Sequence, residues 1–206
     1  MSKRAVSDAS FSVATSAEPV VTFLGRLEEL KGIHLFLGAL SKITSKARFY
    51  VAGFGTWSPR VEDAQRKHTN LQFLGAIKMA EVPYLLSNTD ILVLPSITTD
   101  DGWGAVISEA LMAGAAIVSS HKVGASMCLA DPARGRVVNK LSEAEVARAV
   151  DDIIDNGLLN DSYRKARAEW ADKHLTQRAG VEYLLRILDH LFHGKPRPHS
   201  FVSEHD

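Results

Sequence analysis

The segment 91-ILVLPSITTDDGWGAVISEALMAGAAIVSS-120 decides the fold. ILVLPS is continuously apolar up to its Pro-Ser end, as a strand covered on both faces must be, and does not alternate as a half-exposed strand would. Residues 105–113, AVISEALMA, read as a helix, and 116–120, AIVSS, are a second apolar run. Strand, glycine-containing loop, helix and strand in succession form a parallel unit, because strands running the same way need a crossover between them.

The same alternation extends upstream. VVTFLG ends at Gly25, ARFYVAG at Gly53 and LQFLG at Gly75. The gaps between runs hold helical patterns: 33–40 sets Ile33, Phe36, Leu37 and Leu40 on one stripe, and 80–87 is a short amphipathic stretch. From residue 141 onward the pattern is helical throughout. Ser142 with Glu145 forms a candidate capping box for a helix to about residue 156. Two further helices are expected over 163–171 and 176–192, the second with Val181, Leu184, Leu185 and Leu188 as its apolar stripe. These elements predict one α/β domain over 18–193, a parallel sheet with helices on both faces and a helical C-terminal extension. A loose leader (1–17) and a fraying tail (194–206) are expected to flank it.

The composition narrows the function. Lys+Arg and Asp+Glu both number 24 in 206 residues, so the formal charge is zero and no bulk field draws nucleic acid or anionic lipid. No apolar run approaches the roughly 18 residues that a membrane span needs, and the N-terminal stretch lacks the apolar centre of a secretory signal. Cys128 is the only cysteine, which excludes an intrachain disulfide and a cysteine-rich metal site. A cytoplasmic location is expected.

In an open parallel sheet, ligands bind beyond the carboxyl ends of the strands. GRLEELKG follows the first strand, GFGTWSPR the second, SITTDDGWG the fourth and HKVGAS the fifth. One sheet edge thus collects Arg26, Lys31, Asp100, Asp101, Glu109 and several glycines. Gly102 and Gly104 let backbone approach a ligand, and the helix that follows offers free N–H groups to a phosphate. Glu109 could accept both hydroxyls of a ribose, or could equally cap backbone or pair with an arginine. Arg26 and Lys31 could neutralise a diphosphate, or could be a solvated surface pair. GFG at Gly53–Gly55 is not a dinucleotide fingerprint. Ser58 stands where a third glycine belongs, and no acidic residue ends the next strand, so a tight turn is the expected role.

These residues in this order resemble the donor-binding domain of GT-B glycosyltransferases, in particular the large retaining family of the group 1, or family 4, type. The resemblance rests on Gly25-Arg26 with Lys31-Gly32, Gly53-Phe54-Gly55, Phe73-Leu74-Gly75, Pro95-Ser96, Asp101-Gly102-Trp103-Gly104, and Glu109-Ala110 with Gly114. It runs from about residue 20 to 138, and more loosely to 192. It implies a Rossmann-like domain, one half of a GT-B fold, that moves a hexosyl group from a nucleoside-diphosphate sugar to an acceptor hydroxyl with retention. Arg26 and Lys31 would hold the diphosphate, and Asp101 the donor-sugar hydroxyls. Glu109 would take the ribose. Gly25 and the Gly104, Ala105 and Val106 backbone would line the ligand. Trp103 would be the packing aromatic, and Ala76 and Ile77 would lie near the base. No metal or resident cofactor is expected.

Asp101 and Gly102-Trp103 depart from the family's Glu and small-then-Phe, and Ala115-Ala116-Ile117 from its Pro-Val. The family's N-terminal half, which binds the acceptor and often supplies a catalytic histidine, has no counterpart here; His34 and His68 read as surface residues. A separate acceptor-binding domain or subunit is therefore an expected partner. The alternative is a non-catalytic binding subunit or remnant that docks on such a domain.

Overall fold

The computed structural model describes residues 10–13 and 18–202. β1 (Val20–Leu24), β2 (Arg48–Ala52), β3 (Leu71–Gly75), β4 (Ile91–Leu94), β5 (Ala116–Ser120) and β6 (Gly135–Val138) form one parallel sheet in the order β3-β2-β1-β4-β5-β6. The expected Rossmann-like α/β class is the one observed. The central strands β1, β4 and β5 are buried along almost their whole length because they feed two cores. Val21, Phe23, Ile91, Val93, Ala116 and Val118 meet α1 (Ile33–Ala39), α2 (Ser58–Lys67) and α5 (Glu143–Asp155) on one face. Leu92, Leu94 and Ile117 meet α3 (Val82–Ser87), α4 (Ala105–Met112) and α6 (Asp161–Leu175) on the other. Each fully buried Leu, Ile or Phe contributes about 2 kcal/mol of transfer free energy.

The chain steps outward from β1 to β3 and returns to lay β4 beside β1, in register at Val21–Ile91 and Thr22–Leu92. Loops leaving the carboxyl ends of β1 and β4 therefore diverge and open a crevice at the topological switch point.

β6 was not expected from the sequence. It has four residues, begins with glycine and lies at the sheet edge, so it carries little apolar signal. Gly135 is needed there because a Cβ would stand 2.1 Å from the Ile117 carbonyl oxygen. α2 starts within the stretch expected as loop, with Pro59 in its first turn, where a missing N–H costs nothing. Ser142 caps α5 by accepting from the Glu145 N–H at 3.3 Å. α6 is tied to the connecting segments before β5, before β6 and after α5 by the buried Arg167 guanidinium, which donates to the carbonyls of Gly114 (2.8 Å), Ala133 (3.0 Å) and Leu158 (2.8 Å). Burial, and next the neighbouring Arg164, push its pKa down to about 10, still charged at neutral pH.

The periodicity expected over 176–192 is present in α7 (Gln177–His193), but its apolar stripe faces outward. Val181, Leu184, Leu185 and Leu188 are 38–58% exposed. No helix among the described residues is long and apolar enough to cross a membrane.

Much of the expected leader (1–9 and 14–17) and the last residues of the tail (203–206) lie outside the described residues. The described parts are held. Val13 is buried, Phe11 lies 5.7 Å from the Tyr84 ring, and the Ser10 N–H donates to Glu81 Oε1 at 2.7 Å. Lys195 pairs with Asp189 at 2.6 Å, and Phe201 stands 5.8 Å from both Trp103 and Tyr183.

The Ser10 N–H, then the Lys78 N–H and the Ser10 hydroxyl, hold the Glu81 carboxyl down to about 2, against an ordinary 4.5. A depressed carboxylate stabilises the fold above its unfolded pKa, and that contribution is lost as pH falls through the folded value. Glu81→Gln is therefore expected to flatten the acid limb of the melting temperature between pH 4.5 and 2. Melts at stepped pH check this; an unchanged limb would show that Glu81 does not carry it.

Candidate functional site

A cleft of about 290 Å³ opens at the carboxyl ends of β1 and β4. Leu24, Gly25 and Arg26 line it from the end of β1, and Lys31 from the turn before α1. Leu94 ends β4, Asp101 stands in the following loop, and Gly104, Ala105, Val106 and Glu109 come from the start of α4. Met79 and Val82 close the third side. Eight sequence candidates thus meet in one cavity: Gly25, Arg26, Lys31, Asp101, Gly104, Ala105, Val106 and Glu109. The apolar wall of Leu24, Met79, Val82 and Leu94 was not among the candidates.

The loop after β4 is shaped by glycines in positive-φ conformations. Gly104 has φ 79° and caps α4, and a Cβ on it would meet Val123 Cγ1 at 2.4 Å. The Gly124 N–H donates to the Gly102 carbonyl and the Ala125 N–H to that of Trp103, each at 2.8 Å, fastening the loop to the segment after β5. α4 then begins at the cleft wall, and the N–H groups of Ala105 and Val106 have no acceptor within the helix. Such amides, with the helix dipole behind them, form an anion-binding end.

Two of the four charged side chains are open. Arg26 is exposed, Glu109 is half-buried, and neither makes a hydrogen bond or ion pair among the described residues. The other two are engaged with each other. Lys31 Nζ contacts Asp101 Oδ1, with only 11% and 9% of the side chains exposed. The Ser96 hydroxyl donates to the other Asp101 oxygen. Burial, and then the Arg26 charge, pull the Lys31 ammonium below the ordinary lysine range, while Asp100 acts in the opposite sense. Each Asp101 oxygen thus already has one partner within the protein, and each keeps a second lone pair.

Three candidates stand outside the cleft lining. Trp103 donates its indole N–H to Ser108 Oγ at 2.8 Å and turns its ring toward Phe201, so it packs the C-terminal segment onto the loop. Ala76 is exposed beyond β3, and Ile77 packs against the small core of Val20, Tyr50 and Leu85. Gly53 and Gly55 bring the loops after β1 and β2 together. A Cβ on Gly53 would stand 1.8 Å from the Gly25 carbonyl oxygen, which gives the G-x-G a packing role. Among the described residues no three His, Cys, Asp or Glu side chains gather as a metal ion would require.

The Trp103–Phe201 contact makes the C-terminal segment part of the loop's support. Deleting residues 195–206 is expected to lower the melting temperature by about 3 °C, equivalent to about 1 kcal/mol in a chain of this size. A calorimetric scan measures this; an unchanged midpoint would show that Phe201 contributes nothing.

Known proteins share both sequence and fold with this chain. Residues 8–171 match the family model described as glycosyl transferases group 1. The chain is 29% identical over 161 residues to phosphatidyl-myo-inositol mannosyltransferase of Mycolicibacterium smegmatis, covering 73% of this chain and 42% of that protein. It is 26% identical over 149 residues to alpha-D-kanosaminyltransferase of Streptomyces kanamyceticus, covering 69% and 38%. It spans about two-fifths of the length of these relatives. Sucrose-phosphate synthase of Thermosynechococcus elongatus superimposes with a TM-score of 0.71 at 20% identity, covering 87% of this chain and 47% of that one. Anabaena HepE, solved with UDP and glucose, gives 0.67 at 20% identity, covering 84% and 48%. Similarity at that identity is similarity of fold. The family match runs over most of the sequence, and the chain belongs to the glycosyl transferases group 1 family.

Proposed function

We propose that this chain is the donor-binding part of a retaining glycosyltransferase that moves a hexosyl group from a nucleoside-diphosphate sugar to an acceptor hydroxyl. The observation that carries this reading is the convergence of Arg26, Lys31, the first amides of α4 and Glu109 on one cleft. The UDP bound to Anabaena HepE and the glycosyl transfers named for the relatives support the same ligand class.

Breaking the bond between the sugar carbon and the diphosphate leaves an oxocarbenium-like sugar and transfers negative charge to the leaving oxygen. Arg26, Lys31 and the α4 N-terminus are placed to stabilise that charge as it develops, without the reorganisation water would need. The acceptor hydroxyl then attacks from the face the diphosphate leaves, and its proton passes to the departing diphosphate oxygen. Glu109, with its lone pairs open, accepts the ribose hydroxyls and fixes the nucleotide. In this reading acceptor binding lies on a further domain or subunit, which the cleft described here does not supply. The donor half alone is then expected to bind without rapid transfer, since positioning supplies much of the rate.

A ribose contact has its own signature. Glu109→Ala is expected to weaken nucleoside-diphosphate binding about tenfold, the scale of a hydrogen bond to a charged group. The 2′,3′-dideoxy analogue should bind the wild type correspondingly weakly and be indifferent to the substitution. If the substitution weakens the dideoxy compound equally, Glu109 does not hold the ribose.

A further inference from the structure

We propose that Asp101 is a built-in stand-in for the ligand's anion: it occupies Lys31 until a diphosphate takes its place, so that donor binding is an exchange of partners on Lys31. The inference rests on the donor-binding reading of the cleft and concerns how that site is regulated.

Both members of the pair line the cleft, and both side chains are nearly buried. The contact is built rather than incidental. Lys31 and the Ser96 hydroxyl each take one carboxylate oxygen, and Ser96 is itself fixed by its carbonyl, which accepts from Ser120 Oγ at 2.6 Å. The other cation and the other carboxylate of the cleft, Arg26 and Glu109, have no such arrangement, although they face the same space. One cation is thus presented and one is withheld.

A phosphate reaching Lys31 with the pair intact would lie beside a poorly solvated carboxylate, and like charges placed together in an interface are strongly unfavourable. Moving Asp101 off Lys31 removes that repulsion, and the phosphate replaces the lost ion pair. The exchange sets a threshold, because an anion that Arg26 and the α4 amides cannot anchor does not displace the carboxylate. It also spares the protein an unpaired ammonium in a nearly buried position.

The test is calorimetric titration of the full chain with UDP, GDP and ADP, followed by variants with whichever nucleotide binds. Asp101→Asn is expected to bind about tenfold more tightly. Its melting temperature without nucleotide should fall, and saturating nucleotide should raise it by more than in the wild type. Ser96→Ala, which leaves both charges in place, should tighten binding about threefold and guards against misfolding of the first variant. In a Lys31→Met background the gain from Asp101→Asn should vanish, since no partner remains to be released.

Unchanged or weaker binding by Asp101→Asn, in a chain that otherwise binds, would overturn the exchange and make Asp101 a positioning residue. A gain that persists without Lys31 would overturn it in favour of general repulsion. Absence of binding by wild type and all variants would instead remove the donor-site reading, and the exchange with it.

Discussion

Gly32→Ala is expected to destabilise the protein by about 3 kcal/mol or more and to abolish nucleotide binding. Gly32 has φ 74°, and a Cβ there would lie 2.0 Å from the Pro95 carbonyl oxygen and 2.7 Å from its carbon. Both obstacles are backbone, so no side-chain rotation relieves them. The Gly32 carbonyl also accepts from the N–H groups of Leu35 and Phe36, which starts α1, and the Ile97 N–H donates to the Leu30 carbonyl at 2.9 Å. Pushing the turn away from the end of β4 therefore carries Lys31 out of the cleft it lines, away from the first residues of α4. Gly157→Ala is the internal control. It has φ 66° but nothing within 4 Å of the added Cβ, so it carries the left-handed penalty alone, about 1 kcal/mol. Denaturant unfolding of the two variants separates conformation from collision; equal losses would show that the close approach at Pro95 relaxes freely.

Arg26→Ala is expected to weaken nucleoside-diphosphate binding about a hundredfold, the effect of losing a charge-assisted contact to a doubly charged group. The melting temperature should stay where it is, because Arg26 is exposed and bonded to nothing among the described residues. That separation of affinity from stability distinguishes a ligand-facing cation from a structural one such as Arg167, whose three carbonyl partners would be left buried. Arg26→Lys should recover part of the loss, since an ammonium keeps the charge without the two-pronged geometry. Titration and melting of the same preparations read both quantities. A parallel loss of stability and affinity would count against direct contact.

The strands β1, β2, β4 and β5 were legible because residues buried on both faces leave apolar runs, β3 because its short LQFLG run ends in glycine, and the glycines and charges that follow fall where a parallel sheet binds ligands. β6 was not, since a short edge strand written GRVV carries no such run. In α7 the periodicity was legible but its orientation was not. A stripe at Val181, Leu184, Leu185 and Leu188 looks the same whether it is covered or exposed. In the site, Arg26, Glu109 and the Gly104–Val106 backbone could be placed from position along the chain alone. The contact of Lys31 with Asp101 could not, because it depends on how the turn after β1 seats against the loop after β4. Trp103 had a partner that the sequence did not disclose, Phe201, which lies beyond the end of the helical extension in the chain.

The most direct measurement is calorimetric titration of the intact chain with UDP, GDP and ADP, repeated with Arg26→Ala and Glu109→Ala. A donor-binding cleft requires saturable, one-to-one binding of at least one of these, weakened by both substitutions while the fold stays intact. Binding that neither substitution disturbs would put the nucleotide elsewhere on the molecule. No binding of any of the three would contradict the assignment of this cleft to a nucleotide-sugar.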